Sequence, residues 1–202
     1  MSVQRFVGEI CGFGTTSGRL VVIGRWPTSP FGPIADAMVE DANGHRTLIA
    51  PTAEVGHYIA GVYGFDEIVE APVGAERTAG GLRFQGGPLA ADIVVGGRDA
   101  LGWLLRAVPE RIATHTRWAS MVDPFAARLL RGVRTHGTTV GGEEFYGATD
   151  RHRVVGVRAT WNGGDLGPLA DVDPPVRFGF SSTPRRPSIV AVTTTIRPLR
   201  SS

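Results

Sequence analysis

The sequence predicts an α+β protein, a mostly antiparallel curved sheet or partly closed β-barrel with three or four packed helices, in a single domain spanning 1–202. Three observations lead there. Strand-like runs cut by glycine, proline and Asn-Gly turns fill 1–97, helical signals gather in 98–132, and strand signals return over 133–202. Alternating βα units, which a doubly wound parallel sheet requires, are missing. At 202 residues the chain is long enough to bury a core without covalent staples.

The elements follow in order. Val3 to Ile10 and Arg19 to Ile23 are β-favouring runs, and the turn chemistry of Gly12 to Gly18 between them reads as a hairpin loop. After the proline-rich loop Pro27 to Pro33, Ile34 to Glu40 reads as a strand, Asp41 to Gly44 as its turn and His45 to Ala50 as the return. Thr52 caps a helix in which Val55, Tyr58, Ile59, Val62 and Tyr63 form one apolar stripe, with Gly64 as its stop. Glu67 to Val95 carries two or three strands, broken at Gly80-Gly81 and Gly86-Gly87. Asp99 then caps a helix with Leu101, Leu104, Leu105 and Val108 on one face, ended by Pro109. A helical piece with Trp118, Met121 and Val122 follows, and Asp123-Pro124 opens another that stops at Gly132. Glu143 to Tyr146, His152 to Trp161, Val176 to Phe180 and Ser188 to Ile196 complete the strands, the last rich enough in valine and threonine to lie well inside a sheet.

The phrase Gly32-Pro33-Ile34 recurs as Gly87-Pro88-Leu89 and Gly167-Pro168-Leu169. The spacing is too irregular for a solenoid, and one local device used three times, a glycine turn whose proline enters an edge strand, competes with chance among abundant residue types.

Composition excludes several chemistries. All 21 basic residues are arginine, so a Schiff-base lysine, a lysine general base and a Walker-type G-K-[ST] loop are ruled out. The arginine, alanine, glycine and proline content resembles that of high-GC actinobacterial proteins. Cys11 is the single cysteine, which rules out an internal disulfide or a cysteine zinc cluster. Against 19 carboxylates the net charge is only +2 and basic clusters are small, so no nucleic-acid partner is expected. Neither a signal peptide nor a bilayer-length apolar run is evident, which predicts a soluble cytoplasmic protein without a membrane partner.

Candidate chemistry centres on Gly24 to Asp41. Along the strand from Ile34, Asp36 and Glu40 share one face with Met38, while Ala35, Ala37 and Val39 share the other. The two carboxylates stand about 13 Å apart, too far for a direct acid/base pair. A wet acidic face is the commoner arrangement, and a ligand-binding role requires Asp36 to be buried. A second constellation, His136, Glu143, Glu144, Tyr146, Asp150 and His152, lacks metal-ligand spacing and reads mainly as a solvated hairpin. Arg185-Arg186 lies in a polar connector that offers weak anion binding. Trp103, Trp118 and Trp161 fall in elements and are expected in the core, leaving Trp26 as the pocket tryptophan.

The words Ser29-Pro30-Phe31-Gly32-Pro33 followed by Asp36 resemble the S-P-x-G-P-Y-x-E loop of acetoacetate-decarboxylase-like proteins. The resemblance implies a β-rich barrel or cone around a small apolar cavity, with Asp36 lining it. Ile34 stands where that pattern has tyrosine, and the missing lysine argues against decarboxylation itself.

The leading expectation is a small-molecule-binding β-rich protein with an anion-accepting pocket, or a lysine-independent enzyme on that scaffold. Arg25 and Arg185 would contact the anion, Trp26 would stack and Asp36 would anchor, with no cofactor and no metal implied. The alternatives are a structural protein that self-associates as a homo-oligomer and a metal-assisted hydrolase using His136 and His152.

Overall fold

The computed structural model describes residues 3–108, 136–139, 142–179 and 183–197. In chain order these hold β1 (Gln4–Thr15), β2 (Leu20–Thr28), β3 (Ile34–Glu40), β4 (Arg46–Ala50), α1 (Ala53–Ala60), β5 (Glu67–Glu70), β6 (Val73–Thr78), β7 (Gly81–Gly86) and β8 (Leu89–Arg98). Then come α2 (Ala100–Ala107), β9 (His136–Thr139), β10 (Gly142–Trp161), β11 (Gly164–Asp165), β12 (Leu169–Ala170) and β13 (Ser188–Arg197). One sheet runs β5-β4-β3-β2-β1-β13-β10-β8-β7-β6, with β9 and β11 paired to β10 and β12 to β1. Its ladders are antiparallel except for the parallel β4–β5 pair.

That order forces the sheet to curl. β5 and β6 stand at opposite ends of the path yet are joined only by Ala71 and Pro72. Laid flat, ten strands would spread over about 43 Å at ~4.8 Å per gap. The link from Glu70 to Val73 covers three Cα steps, about 11 Å. The sheet therefore rolls into a half-barrel, and its inner faces meet in a core that includes Cys11, Phe13, Val21, Ile23, Ala37 and Ile49 from one wing and Leu82, Phe84, Leu89, Ile93 and Ala159 from the other.

Apolar side chains line the interior, and β3 is covered on both sides. Ala37 and Val39 enter the inner core, while Ile34 and Met38 on the outer face meet α1, Tyr63 and Phe65. Asp36 and Glu40 are only 3% and 2% exposed, so the wet acidic face does not exist. Glu40 is buried as an anchor, accepting from the Arg177 backbone N–H and twice from its guanidinium at 2.6–2.9 Å. Beside it, Val172, Val176 and Phe178 pack on Leu20. The segment expected as a strand from Val176 is thus an irregular strap laid on the outer face, and Phe180 lies outside the described residues. Glu40→Gln removes the charge from these bonds and is expected to cost about 2 kcal/mol, read as a lower urea midpoint.

Several boundaries move for packing reasons. Gly12 and Gly14 belong to β1, not to a loop, because the later chain crosses directly above them. A Cβ at Gly12 would lie 2.1 Å from Thr183 Oγ1, and one at Gly14 2.3 Å from the Asp171 carbonyl. The α1 N-cap is Thr52 as read, but the helix is capped at Gly61, which releases Val62 and Tyr63 to turn toward β1 and β10. Residues 67–98 form four strands, and the two strand segments read around Tyr146 and His152 are one strand, β10. β13 sits between β1 and β10 and is buried along most of its length, as its composition predicts.

The described residues hold two helices, not three or four. The helical pieces expected around Trp118, Met121 and Val122 and from Asp123 to Gly132 lie outside the described residues. α2 carries its Asp99 cap, yet its buried residue is Gly102. A Cβ there would come within 2.2 Å of the Arg151 carbonyl, so the backbone itself is the contact surface. Trp103 and Leu104 point outward, and Trp103 lies under the Arg98 guanidinium instead of in the core. Trp161 packs partly against the core and carries the Arg19 guanidinium over its ring. The Gly-Pro-aliphatic phrases are one device used three times: Gly32, Gly87 and Gly167 have φ of +81°, +49° and +77°, and β3, β8 and β12 begin one residue after each proline. β3 and β8 are interior strands, so the proline works by ending just outside the ladder instead of by lying on an edge.

Candidate functional site

The register assembles a polar cluster on the outer face under α1. Phe6, Thr194 and Tyr146 lie on one rung across β1, β13 and β10, and Gln4, Ile196 and Glu144 on the next, all on one face. β2 and β3 bring Trp26 and Ile34 alongside, and the end of α1 brings Tyr58, Val62 and Tyr63 over the top. The walls are aromatic: Phe6 stands 5.7 Å from Trp26 and 5.8 Å from Tyr58, and Phe31 stands 5.1 Å from Tyr58.

Two carboxylates lie inside this frame. Trp26 Nε1 donates to Asp36 Oδ1 at 2.9 Å. Gly24, opposite Asp36 in the ladder, leaves the room for that bond, since a Cβ there would fall 2.4 Å from Trp26 Nε1 and 2.5 Å from Asp36 Oδ1. Burial pushes the Asp36 carboxyl up to about 7, against the downward pull of the tryptophan donor. Glu144 is 1% exposed and accepts from Tyr63 at 2.6 Å. Burial raises it to about 7 as well, opposed by its tyrosine donors.

Tyr63 and Tyr146 have their hydroxyls 2.5 Å apart. Tyr63 gives its proton to Glu144, and Tyr146 hydrogen-bonds both Tyr63 and Glu144. Both phenols are held well above the usual tyrosine range by burial and by neighbouring charge, which for Tyr146 includes Glu144 and Asp36. The two carboxylates therefore meet electrostatically at Tyr146. Tyr58 donates to Gln4 Oε1 at the rim. Gln4, Trp26, Phe31, Tyr58, Tyr63 and Tyr146 are half-buried, while Asp36 and Glu144 lie beneath them. Of the six buried side-chain polar atoms without a hydrogen-bond partner among the described residues, two lie in this cluster: Glu144 Oε2 and Thr194 Oγ1.

Of the site residues read from the sequence, Trp26 and Asp36 come together and the arginines do not join them. Arg25 alternates with Trp26 onto the other face of β2, donates to the Ala75 carbonyl at 3.3 Å and pairs with Glu9, which Arg77 also contacts. Arg185 pairs with Asp171 and Asp173. Of the second constellation, Glu144 and Tyr146 enter the cluster, not the solvated surface expected. Asp150 pairs with Arg98, and His152 meets the Gly96 carbonyl. In the register His136 stands opposite Phe145, seven residues along β10 from His152, so about 23 Å of strand separates the two histidine backbones. Tyr63 was read only as part of a helical stripe. Its signal was the glycine at Gly61, three residues before the expected stop.

The sequence matches no protein-family model. No curated protein sequence matches it either. Among solved structures the chain is similar to acetoacetate decarboxylase from Legionella pneumophila subsp. pneumophila strain Philadelphia 1, with 12% identity and a TM-score of 0.44 over 98% of this chain and 86% of that one.

Proposed function

We propose that this protein binds a small molecule at the cluster beneath α1, with Asp36, Glu144, Tyr63, Tyr146, Thr194 and the rim aromatics as its contacts. The observation that carries this reading is the pair of unpartnered buried atoms, Glu144 Oε2 and Thr194 Oγ1, in one cluster beside a half-buried rim. Leaving a buried polar atom unpaired costs about 1–3 kcal/mol, and a ligand that supplies the missing hydrogen bonds recovers that cost. Apolar walls with a few convergent polar groups are the usual make-up of a small-molecule site. Carboxyls titrating near 7 also suit proton transfer to or from a bound molecule, which would need no lysine. The expected anion contacts from Arg25 and Arg185 do not support this site, because both guanidiniums are paired elsewhere.

A thermal-shift comparison tests the reading with 2-phenylethylamine, 2-phenylethanol and phenylacetate, which share one apolar body and differ in headgroup. At a ligand concentration of 100 times Kd, a binder adds about 2.7 kcal/mol to apparent stability. At least one of the three is expected to raise the melting temperature of the native protein, with a smaller rise in Thr194→Val. If none does so at millimolar concentration, the reading fails.

A further inference from the structure

We infer that the molecule this cluster takes is an organic cation, a protonated primary or secondary amine on a small apolar body; the inference rests on the binding reading above. The first ground is a count of hydrogen-bond donors. Trp26 N–H is spent on Asp36, Tyr63 O–H on Glu144 Oε1, and Tyr58 O–H on Gln4. Tyr146 O–H is engaged within the same Tyr63–Glu144 group. The acceptor left open at the bottom of the cluster is Glu144 Oε2, so the incoming group must bring an N–H or O–H. Thr194 Oγ1, buried at 4% exposure on the rung next to Glu144, offers a second oxygen on the same face.

The second ground is charge. Two carboxylates lie in the cluster, and no cationic side chain contributes to the shift of either one among the described residues. An ionised site of this kind repels an anion and gains from a single positive charge, which in a low-dielectric setting is worth more than in water. The aromatic residues Trp26, Phe31 and Tyr58 at the rim suit the same preference, since aromatic quadrupoles attract cations. A metal ion is the poorer occupant. The described residues contain no group of three or more His, Cys, Asp or Glu that could hold one, and the cluster offers two carboxylates.

The test is calorimetry at pH 8 with the same three probes, where the native protein alone decides between headgroups. The amine is expected to bind at least tenfold more tightly than the alcohol, with phenylacetate weaker still. Glu144→Gln keeps an oxygen for the Tyr63 bond but loses the charge and the open acceptor, and should lower amine affinity at least tenfold. If the alcohol or the acid binds as well as the amine, the cation inference is overturned while the binding reading stands. If none of the three binds, both fall. Should Glu144→Gln not fold, the headgroup order in the native protein still supports or overturns the inference.

Discussion

At pH 8 the Asp36→Asn variant is expected to be more stable than the native protein, and at pH 4 the difference is expected to vanish. Asparagine keeps an oxygen to accept from Trp26 and removes the charge that burial opposes. The native carboxyl is raised from 3.8 to about 7. Between those values the folded state holds a proton that the unfolded state has released, so native stability falls as pH rises through this window and levels above it. At ~1.4 kcal/mol per unit the full effect is on the order of 4 kcal/mol. Relaxation on charging reduces it, and about 2 kcal/mol is the expected gain for the variant at pH 8, measured by urea denaturation at both pH values. Glu144→Gln should show the same sign over its window from 4.5 to about 7, with a smaller gain. A native protein whose stability rises from pH 4 to pH 8, with Asp36→Asn tracking it in parallel, would contradict the buried placement of these groups.

Gly24→Ala is expected to cost on the order of 3 kcal/mol. The new methyl would occupy the Trp26–Asp36 hydrogen bond, 2.4 Å from the nitrogen and 2.5 Å from the oxygen. Overpacking accounts for about 1–3 kcal/mol, and separating the buried acceptor from its donor for a similar amount. The strand cannot slide away, because Gly24 is laddered to Ile10 on one side and Asp36 on the other. The urea midpoint should fall with an unchanged slope, and the Trp26 contribution to fluorescence should shift as its partner leaves. A variant as stable as the native chain would mean that the indole and carboxylate do not meet in front of Gly24.

Local chemistry was legible where a few adjacent residues decide the outcome. The β3–β4 hairpin follows from its Asn-Gly turn, both helix N-caps from Thr52 and Asp99, and the central place of β13 from its Val/Thr composition. What depends on distant chain was not legible. Gly12 and Gly14 read as turn residues because their glycine character answers to Thr183 and Asp171, more than 150 residues away. Which face of the Asp36 strand is buried stayed open, with the wet acidic face the commoner arrangement, because one-sided burial is the norm for antiparallel strands. The cover on its second side comes from α1, Tyr63 and Trp26, which the sheet's curl and the early helix stop bring over it. Trp26 and Asp36 were singled out from neighbouring chemistry and do meet. Arg25 was grouped with them by proximity in sequence, although strand alternation sends adjacent side chains to opposite faces. Glu144 and Tyr146 were noticed for their types and set aside for want of a metal spacing, when their partners were tyrosines on the same face.

Asp36 and Glu144 are both buried and hold their protons to near pH 7. Carboxyl carbon NMR titration of the native protein, with Asp36→Asn and Glu144→Gln for assignment, tests this most directly. Two resonances with midpoints near 7 are expected, each lost in its own variant. Midpoints near 4 for both would contradict it.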